Sequence, residues 1–337
     1  MRLILGAVIP ATVVIAGLAP AVTTTPAASV ASARDNAHAA NGCIAVTATV
    51  PVGSFPEGVA VNPKANTVYV TNARDNTVSV ISGRTNTVVA TIPVGSFPEG
   101  VAVNPKTSTV YVTNNLADTV SVINGRTSTV VATIPVGSFP DKIAVNPRTD
   151  TVYVTDVGAV TVISGRTNTV TVTIPISSPV AAAVNPKTNT IYVTGVGTNT
   201  VSVISGRTNT VVATVPAVEG PFGVAVNPRT NTVYVTNFSS RTVSVISGRT
   251  NTVVATIPDG TEPFGVAVNP KTRMVYVTNN IDNTVTLIST RTNTVVATIP
   301  VAGLPRGVAV NPKTNTAYVT NTAANTVSVL APCPKSK

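Results

Sequence analysis

TVYVTN, residues Thr67 to Asn72, is the stretch from which the fold follows, because all seven tyrosines of this 337-residue chain sit in it or in a close variant. The other six are Tyr111, Tyr153, Tyr192, Tyr234, Tyr276 and Tyr318, at spacings of 42, 42, 39, 42, 42 and 42 residues counted from Tyr69. One unit is therefore written seven times. Periods of roughly 20 to 50 residues mark repeat architectures, in which a unit cannot bury its apolar face alone and closes a core only against its neighbours.

Around the first copy the unit is GVAVNP, TVYVTN, TVSVIS and TVVATIPV, separated by breaks such as NPKAN, ARDN and SGRTN. Runs of Val, Ile, Thr and Tyr bounded by Asn, Gly and Pro, with no helical period, predict four strands joined by tight turns. In NPK, Asn opens the turn and Pro supplies the fixed φ of its second position. Both faces of each run are largely apolar or Thr, so each sheet is covered on both sides.

Seven such units predict an all-β fold, a seven-bladed β-propeller of four-stranded antiparallel blades. A straight stack of seven sheets is the rival, and its ends would lie far apart. The two cysteines, Cys43 and Cys333, flank the repeats, and the seventh unit stops after three strands, whereas Ile44 to Gly53 match the fourth strand of an ordinary unit. The N-terminal strand therefore completes the last blade. Aligned on the first unit, Cys43 falls at the place of Thr85 and Cys333 at that of Arg84, neighbours in one turn. A disulfide there replaces the missing turn covalently.

A disulfide implies an oxidising compartment. Arg2 is followed by LILGAVIPATVVIAGLA and a small-residue tract ending in Ala31, Ser32 and Ala33. That reads as a secretory signal peptide, short and Pro-interrupted for a spanning helix. The expected organisation is a signal peptide over 1–33, a linker over 34–43, the propeller over 44–333 and a tail over 334–337. The mature protein is expected to be a secreted or envelope-associated monomer without a transmembrane segment.

TVYVTN, GVAVNPKTN and SGRTNTVVATIPVG resemble the YVTN family of β-propeller repeats, known from bacterial secreted proteins and archaeal surface-layer proteins. The resemblance covers nearly all of residues 44 to 330. It implies a propeller exported to the cell envelope, mostly without an assigned activity. More distantly the chain is similar to propeller lactonases and to the propeller lyases that open streptogramins.

Residues for chemistry are sparse. The single histidine, His38, lies before the first strand, no cysteine is spare, and serines such as Ser82 and Ser205 belong to repeated turns. Streptogramin lyases use a catalytic histidine, so that activity is not expected. No catalytic residue is assigned, and a hydrolase or lyase using rim acids stands as the alternative to a binding scaffold. A structural surface-coat component is a third reading.

Internal comparison of the units singles out one position. Pro56, Pro98, Pro140, Pro179, Pro221, Pro263 and Pro305 are equivalent, and the residue after each, just outside the innermost strand, varies: Glu57, Glu99, Asp141, Val180, Phe222, Phe264 and Arg306. At one mouth of the channel this predicts three adjacent acids, an apolar arc and an arginine, a rim suited to a cationic or amphipathic ligand or to calcium. Phe55, Phe97 and Phe139, one residue before the proline, suit packing between loops.

The net charge of +10 hides an asymmetry. Turns after the first and third strands share one end of a meander. That end carries Lys64, Arg84, Lys106, Arg126, Arg148, Arg166, Lys187, Arg207, Arg229, Arg249, Lys271, Arg291 and Lys313, with Arg273, against Asp150 alone. The other end has ten acids against Arg74, Lys142, Arg241 and Arg306. A basic end of this kind attracts polyanions. For an exported protein the expected partner is an anionic envelope polymer or an envelope protein; nucleic acid is not expected, since no aromatic side chain lies among these turns for stacking.

Overall fold

The computed structural model describes residues 43–217 and 219–333. The predicted signal peptide, most of the linker with His38, and the tail lie outside the described residues. The first blade is β2 (Pro56–Asn62), β3 (Thr67–Asn72), β4 (Thr77–Ser82) and β5 (Thr87–Pro93), paired in that order and antiparallel. The meander recurs as β6–β9 (residues 98–135), β10–β13 (143–175), β14–β17 (179–216), β18–β21 (221–258) and β22–β25 (263–300). The last blade is β26 (Pro305–Asn311), β27 (Thr316–Asn321), β28 (Thr326–Pro332) and β1 (Ile44–Pro51). β1 pairs antiparallel with β28, and β26 packs against β2, so the ring closes. Cys43 and Cys333 form the expected disulfide, with Cα atoms 5.2 Å apart. The seven-bladed propeller and its completion by the N-terminal strand are as the repeats predict.

Period two in TVYVTN explains how one strand serves two interfaces. Side chains of a strand alternate between its faces. Val68 and Val70 of β3 pack with Tyr318, Val327 and Val329 of the last blade, whereas Tyr69 packs with Val110, Val112 and Ile123 of the second blade. Every interface round the ring carries an equivalent cluster. All seven tyrosines are buried. Tyr69 Oη donates to Gly125 O of the next blade at 3.2 Å. Hypothetical Cβ atoms at Gly83, Gly165 and Gly248 would lie 2.8, 2.7 and 2.5 Å from the hydroxyls of Tyr318, Tyr111 and Tyr192. The glycine of SGRTN is thus the place where a neighbouring tyrosine ends.

Asparagines of the turns take left-handed φ, 54° at Asn66, 57° at Asn76 and 55° at Asn86, a conformation that Asn tolerates better than most residues. They also join blades. Nδ2 of Asn146, Asn185, Asn269 and Asn311 donates to Oδ1 of Asn189, Asn231, Asn315 and Asn66, at 2.6, 2.6, 3.3 and 2.7 Å.

Candidate functional site

The threonine of TVYVTN builds the rim. Lying on the same face as Tyr69, Thr71 Oγ1 accepts from Gly58 N at 2.8 Å and donates to Glu99 O of the next blade at 2.8 Å. Thr113, Thr155, Thr194, Thr236, Thr278 and Thr320 donate in the same way to the carbonyls of Asp141, Val180, Phe222, Phe264, Arg306 and Glu57. Each varying residue is therefore held by its backbone, which the repeat fixes. Its side chain is left to specialise.

These residues were expected just outside the inner strand. In six blades they are its second residue, inside a register irregularity such as that between Pro56 and Val59. Bulges re-aim side chains, which explains how residues within a strand reach the channel mouth. The following position is glycine in five blades, and a Cβ at Gly58, Gly223 or Gly265 would collide with the carbonyl of the next blade's rim residue. The third blade departs: it has Lys142 where those blades have glycine, and β10 begins only at Ile143.

Lys142 is the residue that sequence reasoning missed, having counted only as one of four bases set against ten acids. Its Nζ stands 2.6 Å from Asp141 Oδ1 and 3.4 Å from Glu99 Oε2. Arg306 forms an ion pair with Glu57 across the junction of the last and first blades. The three acids predicted at the mouth are thus brought together, with two of the protein's own cations among them. The signal was available: Lys142 is the one charged residue in its column of the seven units.

Burial sets the charge state. It pushes the Glu99 carboxyl up to about 9, reinforced by Asp141 and opposed by Lys142. Burial also raises Glu57, against the pull of Lys142 and Arg306. Burial alone would raise Asp141, but Lys142 and hydrogen bonding with Glu99 hold it below its ordinary value. At neutral pH Glu99 therefore holds its proton, beside the Lys142–Asp141 and Arg306–Glu57 contacts.

The apolar arc is also assembled. Ring centroids of Phe222 and Phe264 are 4.3 Å apart, and Phe238, from a turn not singled out in the sequence, lies 5.9 and 6.4 Å from them. Val180 is buried beside them in the ring order. Glu57, Lys142, Phe222, Phe264 and Arg306 line one cavity of ≈ 200 Å³ in the channel mouth. Phe55 and Phe97 pack at 6.5 Å between centroids, as loop packing predicts, whereas Phe139 is 51% exposed. Among the described residues no group of three or more His, Cys, Asp or Glu side chains is arranged to hold a metal ion.

At the opposite end, Gly83 N donates to Asn66 O at 2.8 Å, joining the two turns that strand parity assigns to one end. All thirteen basic residues predicted there are exposed. The described ion pairs all lie at the other mouth. Asp150, the lone acid of this end, accepts from Asn104 Nδ2 at 2.6 Å.

No protein-family model matches the chain. A segment of 34 residues, 10% of this chain and 7% of the relative, is 65% identical to the PE-PGRS family protein PE_PGRS18 of Mycobacterium tuberculosis (strain ATCC 25618 / H37Rv). Among solved structures, a chain of Kuenenia stuttgartiensis hydrazine synthase is similar with a TM-score of 0.74 and 22% identity, over 82% of this chain and 95% of that one. At that identity the likeness is one of fold. Among the described residues no helix is long and apolar enough to cross a membrane.

Proposed function

We propose that this propeller is an extracytoplasmic binding scaffold that docks on an anionic cell-envelope polymer through its basic end. The observation that carries the reading is the thirteen exposed Lys and Arg side chains on one end, none within ion-pair distance of a described carboxylate. Carboxylates gather instead at the far mouth. Arg148 and Arg229 have further order: their guanidinium groups donate to Pro186 O at 3.1 Å and Pro270 O at 3.3 Å of the next blade, which steadies them for a repeating polyanion. The disulfide fits an oxidising compartment, where such polymers are met.

The test is retention of the purified protein on immobilised anionic wall polysaccharide as salt is raised, with anionic lipid vesicles and duplex DNA as the other arms. Retention on the polysaccharide should fall steeply with salt, because exposed charges are screened. Reversing Arg84, Arg126 and Arg166 to Glu should weaken it about tenfold or more, since each contact is a charge-assisted one. Equal retention of that variant, or preference for vesicles or DNA, would overturn the reading.

One observation favours a second reading, a self-assembling surface coat. Val89, Val131, Val212 and Val254 on the outermost strands are 61%, 58%, 59% and 58% exposed, on edges open to another strand. Sedimentation velocity decides: a concentration-independent monomer removes this reading.

A further inference from the structure

The channel mouth opposite the basic end carries a second inference, independent of envelope docking. Its ionic half contains three carboxyls, Glu57, Glu99 and Asp141, and two cations, Lys142 and Arg306. Glu99 faces Asp141 and Lys142 of the third blade and Glu57 of the first, and Glu57 in turn faces Arg306 of the last. The cluster is one positive charge short, and a proton makes up the difference.

A proton is the smallest occupant the cluster can have. Glu99 and Asp141 side chains are 19% and 29% exposed, so a ligand can reach them. The other half of the mouth is the Phe222, Phe238 and Phe264 cluster, beside buried Val180 and Ala181. Phe222 and Phe264 of the wall and Lys142, Glu57 and Arg306 of the cluster line one cavity, and Glu99 and Asp141 adjoin it through their contacts with Lys142. Its ≈ 200 Å³ is about seven water molecules' share of liquid volume, which fits a small molecule.

We infer that this mouth binds a small amphipathic monocation, an amine whose apolar body lies in the cavity against Phe222 and Phe264 and whose ammonium, at the cavity's Lys142 side, joins Lys142 on the carboxyls of Glu99 and Asp141. An anionic ligand would meet three carboxyls against two cations already engaged with them, with no free group to offset its charge. A divalent cation requires several oxygen ligands at once. Three carboxylates with Lys142 and Arg306 already among them do not supply a free set. An amine restores neutrality by displacing the proton of Glu99 to solvent, so that binding exchanges one cation for another.

Phenethylammonium is the probe, with phenethyl alcohol as its uncharged isostere and calcium chloride as the inorganic arm. Calorimetry at pH 7 in phosphate and in Tris separates the heat of binding from that of buffer ionisation. Phenethylammonium should bind with release of about one proton per ligand, the linkage expected when a protonated acid ionises. The alcohol should bind about tenfold more weakly or worse, lacking the charge-assisted contact, and release none.

Glu99→Gln should abolish proton release and weaken the amine about tenfold. Phe264→Leu should weaken the amine and leave proton release intact. Circular dichroism identifies a variant that fails to fold; the proton count on the unaltered protein then still decides. No binding of the amine, equal binding of the alcohol, binding without proton release, or a response to calcium alone overturns the inference.

Discussion

Thr320 Oγ1 donates to the carbonyl of Glu57 at 2.9 Å and accepts from Gly307 N at 2.8 Å, joining residues 263 positions apart. The same hydroxyl arrangement between Thr194, Ala181 and Phe222 joins blades that are adjacent in sequence. Replacing Thr320 with Val leaves a buried donor and acceptor unpaired, which costs about 1–3 kcal/mol. Thr194→Val should cost a similar amount in urea denaturation. A much smaller loss at Thr320 would show the last junction to be looser than the others.

The disulfide constrains that junction through the chain. Cys43 and Cys333 close a loop of 290 residues, and Cys333 N donates to Cys43 O at 2.8 Å beside it. In the chain-entropy treatment such a loop stabilises by about 5–6 kcal/mol, an upper figure. Reduction should lower the melting temperature clearly while leaving the β-sheet circular dichroism at 25 °C unchanged. Non-reducing peptide mapping should find the Cys43 and Cys333 peptides linked.

The repeat made the ring legible because tyrosine spacing, strand breaks and the half-blade at each end all required one topology. Which blade each residue faces was not legible. Thr71 and Val70 differ only in parity, and assigning Thr71 to the second blade needs the handedness of the ring. The rim residues could be singled out, because their column varies. Their charge state could not: burial raises the Glu99 carboxyl, Asp141, 42 positions away, adds to the rise and Lys142, 43 positions away, opposes it, and all three effects come from the fold. Lys142 itself was visible as an exception in a small-residue column, but the contacts that give it meaning come from the fold.

The asparagine junctions yield a stabilising substitution. Asn227 is the repeat equivalent of Asn185 and Asn269, whose side chains donate to Asn231 and Asn315, and the acceptor's place 46 residues on from Asn227 is taken by Arg273, with a φ of 61°. A left-handed non-glycine residue costs roughly 1–2 kcal/mol, less for Asn, and an added hydrogen bond contributes about 1 kcal/mol. Arg273→Asn should therefore raise stability by about 1 kcal/mol or more, through relief at that turn and a new bond from Asn227 Nδ2. Arg273→Ala, which offers neither gain, is the control. Equal midpoints for the two variants would remove the proposed bond.

Two buried acids should make the protein less stable as pH rises. Asp156 is 3% exposed and stands where five other blades have the asparagine of TVYVTN, whose Nδ2 at Asn72 donates to Ser79 Oγ at 2.9 Å. Burial pushes its carboxyl from 3.8 to about 6. Below pH 3.8 folded and unfolded chains both hold this proton, and the carboxyl has no pH-dependent cost. As pH rises from there the unfolded chain releases it first, so stability falls until the folded group also ionises near 6. Glu99 extends the fall towards pH 9. At pH 8 Asp156→Asn should be more stable than the unaltered protein by about 1–3 kcal/mol, because it supplies a donor towards Thr161 without a buried charge. At pH 4 the gain should nearly vanish. Thermal melts across that range check both, with Glu99→Gln flattening the slope between pH 6 and 9; a gain from Asp156→Asn that is the same at pH 4 and pH 8 would mean that Asp156 does not titrate as its burial requires.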